Sequence, residues 1–147
     1  MEKKNSVAIW LGCFKSKEYM KNYTDLRILT EEEYDDPSAT DASVFARRFE
    51  VEDLVPDLLE PLFFERRTDQ IDQLIKEASY GHQFVKTLGS RKLVREYNVC
   101  ITALDHEYDG HITTDEQEDY YVDFIGNVSY DPYDDGLGGI THPWELP

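Results

Sequence analysis

The chain has 147 residues, 40% of them hydrophobic, which is enough for one ordinary domain with its own core. Its 31 acidic and 15 basic residues give a formal net charge of -16. A surface of this charge repels nucleic acid and anionic membranes and attracts basic proteins, and it also keeps a protein soluble without any partner.

The acidic excess is concentrated in two segments. Residues 31–60 contain 11 acidic and 2 basic residues, and residues 105–135 contain 11 acidic residues and no basic one. If the charge serves binding rather than solubility alone, these two segments are where we expect a basic partner to bind.

The cysteines and the N-terminus indicate a soluble, cytoplasmic protein. Cys13 and Cys100 lie in apolar runs, where a thiol behaves as a small hydrophobic side chain, so no disulfide framework is expected. The apolar run from Val7 to Phe14 is too short to cross a membrane and lacks a signal-peptide cleavage site. A reducing compartment fits both observations.

The first predicted element is a strand over Ser6 to Phe14, with the sequence SVAIWLGCF. Both faces of this strand would be apolar, which is typical of the middle of a sheet that is covered on both sides. Ser16 then predicts the N-cap of a short helix that places Tyr19, Met20 and Tyr23 on one face.

The next predicted segment, Thr30 to Asp41, is rich in acidic residues, has no apolar period and is expected to be an exposed loop. A short helix is expected near residues 43–49. Beyond it, Pro56 and Pro61 predict irregular or short helical structure up to Phe64.

Two helices are predicted next as the main cover of the sheet. Thr68 would cap the first, whose apolar residues follow the spacing i, i+3, i+4, i+7: Ile71, Leu74, Ile75 and Ala78. Ser79 would cap the second, with Gly89 at its C-terminal cap and one apolar stripe: Tyr80, Phe84 and Leu88.

Two further strands are predicted, over Tyr97 to Leu104 and Tyr120 to Tyr130, because β-branched and aromatic residues dominate the first and apolar residues alternate in the second. The predicted fold class is α+β: a small, mostly antiparallel sheet with a central apolar N-terminal strand, covered by short helices. Residues 1–147 are predicted to form a single domain, in which residues 131–147 are a tail rich in Pro, Gly and Asp, with Trp144 as its candidate anchor.

The loop between these strands matches the twelve-residue calcium loop of an EF-hand. Residues 105–116 read DHEYDGHITTDE, with acids at loop positions 1, 3, 5 and 12 and glycine at position 6. The calcium ligands would be Asp105, Glu107, Asp109, His111 through its carbonyl, Thr113 and Glu116. An EF-hand needs a helix on each side, however, so the flanking strands favour a carboxylate-rich connection between two antiparallel strands.

Sequence signatures of catalysis are missing. The chain has no HExxH, GxSxG, P-loop or GxGxxG pattern, so neither an enzyme nor a cofactor is expected.

Several stretches together resemble the bacterial Immunity protein 22 family. They are VAIWLGCF followed by a Tyr-rich helix, Tyr80 and Phe84 on a later helix, NVCITALDHEY and YYVDFIGNVSY. The resemblance runs with gaps from Val7 to Tyr130 and depends mostly on the IWLG and FIGxxxY patches. It implies a small α+β protein of a polymorphic toxin system, which neutralises a cognate toxin domain by binding it.

Charge suggests the kind of toxin, because a nuclease must present a positive groove that an acidic inhibitor can occupy. The predicted function is therefore non-catalytic inhibition of a basic toxin domain, a nuclease, through acidic loops; the alternative is a calcium-binding module using residues 105–116. The predicted partner-binding residues are Glu31, Glu32, Glu33, Asp35, Asp36, Asp105, Glu107, Asp109, Asp131, Asp134 and Asp135.

Overall fold

The computed structural model describes residues 2–27, 29–51 and 54–134. Its five strands are β1 (Glu2–Cys13), β2 (Leu59–Gln70), β3 (Lys92–His106), β4 (Thr114–Glu116) and β5 (Tyr121–Ser129). Its helices are α1 (Lys17–Thr24), α2 (Glu31–Tyr34), α3 (Val44–Arg48), α4 (Ile71–Ile75) and α5 (Gly81–Leu88), with a 3-10 turn at Pro56–Leu58. The strands form one antiparallel sheet in the order β2-β3-β1-β5-β4, so the predicted α+β class is confirmed.

The apolar N-terminal strand lies at the centre of the sheet, as its sequence predicts. β1 pairs with β3 on one side and with β5 on the other. Every side chain from Val7 to Leu11 is fully buried. Because successive side chains point to opposite faces, this burial requires cover on both faces of the sheet.

One face of the sheet is covered by aromatic residues. Trp10 lies 4.8 Å from Phe45 and 6.1 Å from Phe49, between ring centroids, and both phenylalanines come from α3 and its C-terminal end. Phe124 of β5 and Tyr108 complete the contacts around the indole ring. Each such aromatic pair stabilises the fold by about 0.5–1.5 kcal/mol beyond the burial of its area.

The opposite face is covered by the two helices that the sequence predicts as the main cover. Ile71, Leu74 and Ile75 of α4 and Phe84 of α5 are buried against the side chains of Val7, Ile9 and Leu11 on β1. These helices cover one face only, and the other face depends on α1 and α3.

The prediction of irregular or helical structure for residues 50–64 is wrong in its second half, because Leu59 begins a twelve-residue strand. β2 is one of the two edge strands and, within the described residues, pairs with β3 alone, with Pro61 opposite Ile101. An edge strand tolerates proline because one of its sides forms no ladder hydrogen bonds.

Two of the three predicted N-caps are wrong. Thr68 lies within β2, and α4 begins only at Ile71, without a side-chain cap. Ser79 instead donates hydrogen bonds from its backbone N–H and its hydroxyl to the Glu60 carboxylate, at 2.7 and 2.9 Å. Tyr80, with a φ of 63°, occupies the cap position of α5.

The predicted N-cap at Ser16 is confirmed, because its hydroxyl accepts a hydrogen bond from the N–H of Tyr19. The predicted C-terminal cap at Gly89 is confirmed: its N–H donates to the carbonyl of Val85, and it keeps a right-handed helical conformation with a φ of -60°.

The strands predicted around the acidic loop are both present, with β3 starting earlier, at Lys92. The expectation that the loop connects two antiparallel strands is wrong, however. β3 and β5 are each antiparallel to β1, which lies between them, so they run parallel to each other. Their connection, residues 107–120, must therefore cross β1 and return to its other end. Tyr108 of this connection packs on Trp10, and the short strand β4 forms part of it.

Most of the predicted tail, including Asp135 and Trp144, lies outside the described residues. Within the part of the chain that is described, no helix has the length and apolar character required to cross a membrane.

The buried contact of α4 with β1 generates a stability prediction. Leu74→Ala removes a fully buried side chain and leaves a cavity, so we expect the free energy of unfolding to fall by about 2–5 kcal/mol in a urea titration. Val94 is 95% exposed, and Val94→Ala should change it by less than about 0.5 kcal/mol. Equal effects of the two substitutions would contradict the packing described for this face.

Candidate functional site

The acidic segment predicted as a loop contains the short helix α2. Thr30 and Glu33 form a capping box, in which the Thr30 hydroxyl accepts from the N–H of Glu33 and the Glu33 carboxylate accepts from the N–H of Thr30. Such a box satisfies N–H groups that have no partner within the helix. Local hydrogen bonding therefore makes a helix where the sequence shows no apolar period.

Two of the predicted binding carboxylates in this segment stabilise its own conformation. Glu33 pairs with Arg27, and the hydrogen bonds from Arg27 and from the backbone of Thr30 lower the pKa of Glu33 to about 2. Asp36 accepts from the hydroxyl and N–H of Ser38, at 2.7 and 2.9 Å, and these bonds lower the pKa of Asp36.

The other three predicted binding carboxylates of this segment lack such contacts among the described residues. Glu31, Glu32 and Asp35 are exposed, and among the described residues their side chains form no hydrogen bond or ion pair. Tyr34 lies between them and is 75% exposed. We call the exposed acidic surface formed by Glu31, Glu32, Tyr34 and Asp35 the α2 surface.

The predicted residues after β3 are engaged within the fold. The Asp105 carboxylate accepts from the N–H of Asn5 at 3.0 Å and from the hydroxyl of Tyr130 at 2.7 Å. Burial and this hydrogen bond raise the pKa of Tyr130 above its usual range. Glu107 lies 3.0 Å from the Lys3 ammonium, and Asp109 pairs with the His111 ring and accepts from its backbone N–H.

The two described predicted residues after β5, Asp131 and Asp134, also have partners. Asp131 accepts from the N–H of Tyr133 at 2.9 Å, and the Asp134 carboxylate lies 3.2 Å from the His82 imidazole. Gln83 of α5 binds the backbone of Asp131 and the carbonyl of Asp134. These contacts hold residues 131–134 against α5.

The structure therefore divides the predicted binding residues into two places. Tyr130 brings Asp105 close to the start of the 131–134 segment, at the end of the sheet where β1 begins. No hydrogen bond or ion pair of the described residues links α2 to that end of the sheet. Of these two places, the α2 surface is the one with exposed carboxylates that have no partner among the described residues.

The calcium-loop pattern does not produce a metal site in the part of the chain that the structure describes. There, no group of three or more His, Cys, Asp or Glu side chains is arranged to hold a metal ion. Asp105 and Asp109 bind the groups named above, and the Glu116 carboxylate binds Arg95 at 2.5 Å. Glu116 also lies in β4 rather than at the start of a helix.

Sequence reasoning missed a buried carboxylate, Asp115 of β4. It accepts hydrogen bonds from the hydroxyls of Tyr23 and Tyr120 and from the amide of Gln117, each at 2.8 Å. Burial, followed by the nearby Asp115, raises the pKa of Tyr23 and Tyr120 above their usual range. One weak signal comes from its position in β4: Asp115 is the middle residue of the strand, so its side chain points to the face opposite its two exposed neighbours.

A second polar network connects β3 and β5. Arg95 binds both carboxylate oxygens of Asp123, at 3.0 and 2.8 Å, and its guanidinium lies 3.9 Å from the centre of the Tyr121 ring. Tyr97 and Thr114 also donate to Asp123. Burial opposes ionisation of Asp123, but the hydrogen bonds from Arg95, Tyr97 and Thr114 outweigh it and lower the pKa of Asp123.

Comparison with known families identifies the kind of protein to which this architecture belongs. The family model described as Immunity protein 22 matches residues 7–131, which is most of the chain. The chain belongs to the Immunity protein 22 family. No curated protein and no solved structure matches it significantly.

The Immunity protein 22 match begins in β1, ends just after β5 and spans the α2 surface. Membership of an immunity family implies a toxin partner and a neutralising role. For such a role, a site is a surface that fits another protein.

The Asp123 network generates a prediction about acid stability. Because the folded-state pKa of Asp123 is lowered, its contribution is present above the unfolded-state pKa of about 3.8 and is lost as the pH falls below it. Asp123→Asn should reduce the free energy of unfolding at pH 7 by about 1–3 kcal/mol, and the difference from wild type should shrink towards pH 3.

Asp69→Asn provides the control for this measurement, since Asp69 is exposed and should change stability by less than about 0.5 kcal/mol. A difference between wild type and Asp123→Asn that stays constant from pH 7 to pH 3 would contradict the assigned pKa direction.

Proposed function

We propose that this chain is a cytosolic, non-catalytic immunity protein of a bacterial polymorphic toxin system, and that it binds a basic toxin domain, a nuclease, through its acidic surface. The observation that carries this proposal is the α2 surface in a member of an immunity family: three exposed carboxylates that have no partner among the described residues, around an exposed tyrosine. The net charge of -16 supports the same proposal.

Electrostatics explains why such a protein suits a nuclease target. A nuclease binds the phosphate backbone with lysine and arginine side chains, and its groove therefore has a positive potential. Carboxylates placed in that groove take the position of phosphates. Opposite potentials also steer the two proteins together and raise the association rate, most strongly at low salt.

The α2 surface is favoured over the other acidic residues for a physical reason. Asp105, Glu107, Asp109 and Asp134 are already paired with groups of this chain, so binding a partner through them means competing with existing contacts. Glu31, Glu32 and Asp35 of the α2 surface have no partner among the described residues and require no such exchange. Tyr34 adds a rigid aromatic side chain of the kind enriched at the centres of interfaces.

The direct test is co-expression with the toxin domain encoded beside this chain. We expect the chain to restore growth of cells that express the toxin domain, to co-purify with it and to stop its cleavage of DNA or RNA in solution. Loss of growth despite good expression of both proteins, with no co-purification, would overturn the proposal. Rescue without inhibition of a nuclease activity would remove the nuclease assignment alone.

A charge-reversal variant tests the α2 surface. Glu31→Lys, Glu32→Lys and Asp35→Lys together should lower the association rate with the toxin domain by about tenfold to a hundredfold at low salt, because they remove steering charges. The measurement is surface plasmon resonance at two salt concentrations. The difference from wild type should narrow at the higher concentration.

The matched control changes the net charge equally in another place. Glu65, Asp69 and Glu77 are exposed, and among the described residues their side chains have no hydrogen-bond or ion-pair partner. Their triple substitution by lysine should affect the association rate much less. Equal effects of both variants would show that net charge, rather than the α2 surface, controls association.

A further inference from the structure

An apolar cleft lies beside the acidic segment. It has a volume of about 620 Å³ and is bounded by the end of α1, by α3 and by the first residues of the edge strand β2. Its apolar lining consists of Leu26, Ala42, Ala46, Val51, Leu54, Pro56, Leu59 and Pro61. Leu26 remains 54% exposed, which leaves a large aliphatic side chain at the mouth of the cleft.

Four polar residues also line the cleft, of which Thr24 and Ser43 are buried and Asp25 and Asp41 are exposed. The Thr24 hydroxyl donates to the carbonyl of Met20, and the Ser43 hydroxyl accepts from the N–H of Ala46 at the start of α3. Asp25 and Asp41 are exposed, and their carboxylates form no hydrogen bond or ion pair within residues 2–27, 29–51 and 54–134. Among the residues that the structure describes, no basic one lines the cleft.

An apolar floor with two unpaired carboxylates at its rim complements one kind of side chain. Arginine and lysine combine an aliphatic stem with a cationic head, so the stem can lie on apolar surface while the head binds carboxylate. A neutral apolar ligand would leave Asp25 and Asp41 unused, and an acidic ligand would be repelled. The segment around the cleft also attracts a cationic side chain, since residues 25–61 contain twelve acidic and three basic residues.

The cleft is joined physically to the α2 surface. Arg27 donates from its backbone N–H to the carbonyl of Asp41 at 2.8 Å and from its side chain to the carbonyl of Thr40 at 3.1 Å. The same guanidinium pairs with Glu33 in α2. Arg27 therefore ties the acidic helix to the wall of the cleft, and one partner can contact both.

We propose that this cleft is the anchoring pocket for the toxin domain, and that it receives an arginine or lysine side chain together with a neighbouring apolar residue of the toxin. The proposal depends on the toxin-binding function above and assigns different steps of binding to the α2 surface and the cleft. The α2 surface steers the toxin domain during approach, and the cleft retains it once bound, because contacts made in an apolar pocket are lost only on dissociation.

The test uses a catalytically inactive form of the neighbouring toxin domain and the full chain. The double variant Asp25→Asn, Asp41→Asn keeps the shape of both side chains and removes their charge. We expect it to raise the dissociation rate by about tenfold or more, because the cationic side chain loses its charged partners. Ala42→Trp, which fills the cleft, should raise it as well.

Controls separate binding from folding. Asp69→Asn with Asp119→Asn removes the same charge from exposed positions elsewhere and should leave the dissociation rate within about twofold of wild type. If Ala42→Trp lowers the melting temperature, the asparagine double variant alone decides the result, since both of its positions are exposed.

The outcomes distinguish the two proposals. If the wild-type chain binds the toxin domain and the asparagine double variant dissociates at a rate within twofold of wild type, the anchoring pocket is overturned. The toxin-binding function then remains in place. Failure of the wild-type chain to bind the toxin domain would overturn both.

Discussion

Burial of β1 on both faces is the constraint on which the rest of the structure depends. Side chains from Val7 to Leu11 have no exposed surface, so neither face of the sheet is free to remain in water. α4 and α5 cover one face, and α1 and α3 cover the other. The chain between α1 and α3 must return along the surface, and that connection carries α2 and one wall of the cleft. The packing of a central strand thus determines where the α2 surface lies.

The distribution of carboxylates follows from the same architecture. β3 and β5 both end where β1 begins, and the carboxylates there are used to join these chain ends: Asp105 binds Asn5 and Tyr130. At the opposite end of the sheet, the carboxylates of Glu116 and Asp123 bind Arg95. Glu31, Glu32 and Asp35 of the α2 surface have no such partner among the described residues. They lie beside an apolar cleft, a combination that suits the basic protein partner proposed above.

Much of the fold was predictable from local patterns, and the rest depends on contacts that are distant in sequence. The position of β1 follows from SVAIWLGCF, because a run that is apolar on both faces fits only the middle of a covered sheet. β2 was missed because Pro61 suggests a break, while its edge position, which no local pattern shows, permits proline. Ser79 was misassigned as a cap because its partner, Glu60, lies 19 residues away. The acidic character of the segment after α1 is visible in the sequence, but which of its carboxylates have no partner among the described residues is not.

Hydrogen exchange of this chain, alone and bound to the inactive toxin domain, tests whether the toxin binds at the α2 surface and the cleft. We expect binding to slow exchange in residues 24–43 and 54–61, which contain the α2 surface and most of the cleft, and to leave the amides of α4 and α5 unchanged. Protection confined to residues 105–134, with none in residues 24–43, would contradict it.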